Sequence, residues 1–157
     1  MTPIASEHFT KALLTLLDET FDNVKGFYLD GGTSLFETLA GVSAAEASIP
    51  VGGKCATLAA QVKHVAFYLD VVDKSVRDPS YPSVDWSEIW RTVHRVTPGE
   101  WEAIQAELRL NYNRIITLIN EWKSWTSDAE ISGAMAVIAH TAYHLGEIRQ
   151  ALCTLKP

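Results

Sequence analysis

The apolar residues of this chain recur at helical spacing over almost its whole length, and no other feature constrains the fold so tightly. From about Thr57 to Arg77 the stripe Leu58, Val62, Val65, Leu69, Val72 and Val76 advances in steps of four, three, four, three and four, the repeat of one face of an α-helix. Pro79 and Pro82 then end it, because proline lacks the amide hydrogen a helix interior needs. An earlier helix is predicted from about Glu7 to Val24, on Leu13, Leu16, Leu17, Thr20, Phe21 and Val24. A third opens at Thr97-Pro98-Gly99-Glu100: a hydroxyl cap, proline in the first turn and a glutamate three residues after the cap. Its stripe is Trp101, Ile104, Leu108, Tyr112, Ile115, Ile119 and Trp122, with the charges off that face. A second capping box, Ser127 to Glu130, starts a fourth helix that runs to about Thr154. No alternating β-branched run competes. The expectation is an all-α protein, a four-helix bundle in one domain over residues 1–157, with long connections before and after the second helix.

Those connections carry their own signals. Lys25 to Ala56 contains the pairs Gly31-Gly32 and Gly52-Gly53 as turns, and the capping patterns Ser34…Glu37 and Ser43…Glu46, which predict one or two short helices. Asp78 to Val96 is aromatic, with Tyr81, Trp86 and Trp90. Long ordered connections in a small domain cross over the bundle or cover a site, and they permit a topology other than up-and-down. Helices three and four are expected to be joined by about two residues, as an antiparallel hairpin.

Charge and cysteine usage narrow the function. Thirteen basic against nineteen acidic residues give a net charge of −6, with no basic run, so a nucleic-acid partner is not expected. No segment reaches the roughly 18 consecutive apolar residues of a membrane span. Glu7, His8, Lys11 and Asp18 interrupt any apolar leader core, so no secretory signal is read there. Cys55 and Cys153 lie far apart and form no C-x-x-C, which reads as two reduced thiols in a cytoplasmic protein.

The histidines carry the chemistry. Within a stretch free of Asp, Glu, Lys and Arg from Ile131 to Gly146, His140 and His144 stand four residues apart. Their imidazoles project from one helix face and can chelate one ion. The far side of that helix carries Ile131, Met135, Ile138, Ala142 and Leu145, so burial on both sides is expected. A buried imidazole must be satisfied by carbonyls, hydroxyls or water, or ligate a metal. His64, at the edge of the second helix's apolar arc, can complete a three-histidine site with open positions for water or substrate. His8 and His94 are read as surface residues.

The segment Ala139-His140-Thr141-Ala142-Tyr143-His144-Leu145-Gly146-Glu147-Ile148-Arg149-Gln150-Ala151-Leu152 resembles the C-terminal motif of the DinB-like (YfiT-like) superfamily of metalloproteins. In that motif a histidine pair four apart is followed by Gly, then Gln or Glu, Ile and an apolar residue. Leu58-Ala59-Ala60-Gln61-Val62-Lys63-His64 is similar to the family's second-helix ligand motif. Leu35 to Ile49 is similar to the region preceding that helix. The resemblance runs from about Phe9 to Leu155. It implies a four-helix bundle of unusual topology, often a homodimer, with nickel or zinc held by His64, His140 and His144.

Many family members carry Gln where this chain has Glu147. Glu147, one turn beyond His144, can orient a ligand, act as a base, add a fourth ligand, or simply pair with a basic residue at the helix end. Tyr68 and Tyr143 can direct a hydroxyl at the site or serve as packing. The family includes thiol-dependent S-transferases, an isomerase of maleylpyruvate and proteins described as metal-dependent hydrolases. The resemblance therefore implies a small-molecule substrate, and its S-transferase members imply a low-molecular-weight thiol. A non-catalytic, dimeric, stress-linked metal protein is the other reading. No nucleophile elbow, phosphate loop, dinucleotide fingerprint or H-E-x-x-H is present.

Overall fold

In the computed structural model, residues 4–51 and 55–155 are described. Among these described residues seven helices follow in order: α1 Ser6–Phe21, α2 Leu35–Leu39, α3 Ala44–Ala47, α4 Leu58–Arg77, α5 Glu88–Thr92, α6 Pro98–Glu121 and α7 Asp128–Leu155. There is no strand among the described residues; a lone bridge joins Pro50 and Thr57. The four long helices stand where the periodicity places them, and α2 and α3 occupy the two predicted short positions. The Gly52-Gly53 turn lies outside the described residues. The chain divides into two compact units, Met1–Gly41 with Ile116–Leu145, and Val42–Ile115 with Gly146–Pro157.

All four capping boxes form. Ser34 donates its N–H and hydroxyl to Glu37, and Ser43 does the same with Glu46. Thr97 pairs with Glu100 and Ser127 with Glu130. Each box satisfies amide hydrogens that a helix start otherwise leaves orphaned.

In the first unit α1 ends at Phe21, three residues short of the expected Val24. The cause is Glu19, fully buried, whose carboxylate accepts the N–H groups of Phe27, Tyr28 and Leu29. Those bonds turn the chain back on itself, and Gly26 takes the positive φ that the turn requires (82°). The α6–α7 connection is also longer than expected, residues 122–127. Trp125 accounts for it. Its indole donates to Thr10 Oγ1 at 2.8 Å, its ring meets Phe9 edge-on, and Trp122 stacks on it.

In the second unit the polar contacts fix the direction of α6 against α4. Lys63 pairs with Glu107, the Asn111 amide donates to Ala66 O at 3.0 Å, and Arg114 reaches Asp70. Both partners advance together along the chain, so α4 and α6 run parallel. A parallel pair requires a crossover, and residues 78–97 provide it. The crossover is pinned where Val96 N–H donates to Ser48 Oγ, and Trp101 of α6 donates its indole N–H to Val42 O.

α7 departs from expectation. Its charge-free stretch is not buried on both sides. Val137, Thr141, His144, Leu145 and Ile148 are buried, whereas Ser132, Met135, Ala136, Ala139, Tyr143 and Gly146 form an exposed stripe. Met135 is 56% and Tyr143 63% exposed. Absence of charge predicted burial here, but small residues make up most of the outer stripe and leave little apolar surface to hide.

Candidate metal centre

α4 delivers the first ligand. Thr57 caps it by accepting the Ala60 N–H, and two turns on His64 is buried. Lys63 beside it is held by Glu107 at 2.5 Å, which fixes the rotation of this part of the helix. The His64 ring lies against the Trp90 indole, centroids 4.5 Å apart and planes 34° from parallel. Trp90 belongs to α5, whose Ile89 is buried.

α7 delivers the other two. The rings of His140 and His144 meet edge-to-face at 4.6 Å, as the four-residue spacing requires. His144 is buried and His140 half-buried. Each of the three histidines offers one nitrogen, and these three nitrogens all lie within 4.8 Å of one another. Three nearby histidines can therefore hold a metal ion.

The donor set tests which ion. Ideal tetrahedral coordination at a Zn–N distance near 2.1 Å places nitrogens about 3.4 Å apart. Three imidazoles without a carboxylate are a nitrogen donor set, of the kind divalent transition metals take and unlike the oxygen ligands of magnesium and calcium. The residues present fit a borderline divalent metal.

The remaining candidates separate. Glu147 is half-buried one turn beyond His144 and lies outside the cluster of ligand atoms. Tyr143 packs its ring edge-on against His144 at 5.0 Å while staying largely in solvent. Tyr68 is half-buried beside Trp86, and burial pushes its phenol pKa up. The Thr141 hydroxyl, next to His140, is buried and makes no hydrogen bond among the described residues. His8 and His94 are exposed, as expected; the His94 ring donates through Nε2 to Arg91 O.

Trp90 is the site neighbour that residue patterns did not single out. Its signal was the aromatic content of the second long connection, which marks a segment that covers something without saying which indole does so. No family model, no curated protein and no solved structure matches this chain.

Proposed function

We propose that this chain is a metal-dependent enzyme of the DinB-like superfamily, its four long helices forming a bundle that holds nickel or zinc on His64, His140 and His144. The observation that carries the reading is the convergence of three imidazole nitrogens within 4.8 Å. These come from the two helices whose motifs resemble the family's. A divalent ion with only three protein ligands keeps a position open and favours the deprotonated form of a thiol or water placed there.

The reaction assigned is thiol-dependent S-transfer to a small electrophile. The thiol gives up its proton, its sulfur bonds to the electrophilic carbon, and the leaving group departs with the electron pair. Glu147 is the base assigned to that proton. Tyr68, a half-buried phenol, serves as a hydrogen-bond donor. The uncharged outer stripe of α7 supports a homodimer. Two exposed, unbridged thiols, Cys55 and Cys153, suit the reducing cytoplasm. No described helix is long and apolar enough to cross a membrane.

The test is a panel of low-molecular-weight thiols with a chromogenic electrophile, run on protein loaded with nickel or zinc. The reading predicts turnover that requires both thiol and metal and falls at least ~100-fold in His144→Ala. Metal-loaded protein that turns over only without thiol would assign hydrolysis instead. Inertness with every thiol would favour the non-catalytic alternative.

A further inference from the structure

Trp90 has a second face. The indole that lies against His64 also lines a cavity of about 540 Å³, together with Pro50, Cys55, Val93, His94 and Arg95. That volume falls within the range of small-molecule sites. Everything lining it belongs to the second unit, and hydrogen bonds tie part of its wall. Val96, next to Arg95, donates its N–H to Ser48 Oγ, and Ser48 is itself part of the lining. The His94 ring is tied to Arg91 O at 3.0 Å. Arg91 is held by Asp85.

Arg95 is the uncommitted charge. It makes no hydrogen bond or ion pair among the described residues, although acids stand close by. A neighbouring cavity of about 300 Å³ shares Arg95 and Val93 and brings in Lys63, Glu100 and Glu107. Glu107 is taken by Lys63, and Glu100 accepts the N–H and hydroxyl of Thr97 in the α6 capping box. Asp85 is taken by Arg91. A guanidinium with its neighbouring acids engaged elsewhere is free to take an anion, and its planar fork matches a carboxylate with two parallel bonds. Pro50, Ala56, Val93 and the indole give the same cavity apolar walls, which suit the carbon body of an organic ligand rather than a bare inorganic ion.

We propose that this cavity binds a small organic carboxylate, with Arg95 clamping the carboxylate and the Trp90 indole forming the wall that separates it from His64. The substrate of the metal centre is then an electrophile carrying a carboxylate. That last step rests on the function proposed above; binding in the cavity does not.

Benzoate is the probe. Metal-free, ¹⁵N-labelled protein is titrated with benzoate while the indole N–H resonances are followed, with that of Trp90 identified by Trp90→Phe. Saturable shifts at Trp90 are expected, with affinity at least tenfold weaker in Arg95→Ala and intermediate in Arg95→Lys. Arg95 is exposed, so its variants keep the fold, and a thermal melt checks this. Inorganic phosphate at equal concentration should leave bound benzoate in place. Absence of saturation, equal affinity in Arg95→Ala, or displacement by phosphate would each overturn the proposal. Benzoate binding that survives while the histidine variants show no role in metal binding would sink the metal reading and leave this site standing.

Discussion

α4 and α7 each carry ligands to the same cluster, yet their ligand-bearing stretches differ in charge and exposure. Around α4 the polar groups are committed: Lys63 to Glu107, Asp70 to Lys74 and Arg114, Asp73 to Arg77, Ala66 O to Asn111. Its apolar stripe is buried from Leu58 through Leu69. α7 has no charge between Ile131 and Gly146, a buried face bearing His144, and an outer stripe left in solvent. The contrast teaches that one ligand can come from a helix braced by charged pairs and the others from a stretch that carries no charge at all. The uncharged stretch keeps an outer face in solvent.

The largest expected effect lies in the interior of α4. Leu69 is fully buried, and Leu69→Ala should cost ~3–4 kcal/mol, through lost transfer energy plus the cavity. The same truncation of exposed Met135 on α7 should change stability by less than ~0.5 kcal/mol. Urea unfolding of both variants at low concentration measures the difference. Equal losses would erase the distinction between the helices.

Next in size is Glu19, which places the α1–α2 turn on the α4 side of the contrast. Burial raises its pKa, but the N–H groups of Tyr28, Leu29, Phe27 and Gly26 outweigh that and hold it below the ordinary value. A lowered folded pKa means the carboxylate stabilises fully above the unfolded value, ~4.3, and loses that contribution as pH falls through the lower folded value. Glu19→Gln should therefore cost ~1–3 kcal/mol near pH 7, and its gap from the parent should close as pH falls through the lowered folded value. A gap independent of pH would assign the effect to shape instead of charge.

The smallest effect on chain stability, and the sharpest on assembly, belongs to the outer stripe of α7. Ala139 is exposed there, so Ala139→Glu should alter stability by less than ~0.5 kcal/mol. If the stripe is the dimer face, sedimentation should show a dimer for the parent and a monomer for the variant. A variant that stays dimeric would move the interface elsewhere.

Much of this was legible in the sequence because local signals and tertiary demands agreed. The boxes at Ser34, Ser43, Thr97 and Ser127 mark four helix starts, and the apolar repeat places the long helices. His140 and His144 are a purely local pair. His64 joins them through its place at the edge of the α4 apolar arc, and the family resemblance points to the same triad; nothing local to α4 says which helix its histidine meets. What stayed hidden depends on contacts distant in sequence. Glu19 looks like one more charge on a helix until three amides of the following turn bind it. Trp125 ends α6 early by reaching Thr10 of α1. Trp90 finds His64 through a crossover that only the parallel pairing of α4 and α6 explains. In α7, the lack of charge was read as burial, when small side chains make an uncharged exposed face equally tolerable.

The central claim is that these two unlike helices serve one metal ion, and elemental analysis of purified protein tests it most directly. The account predicts about one equivalent of nickel or zinc per chain, lost from both His64→Ala on α4 and His140→Ala on α7. Retention of stoichiometric metal by either variant would contradict it.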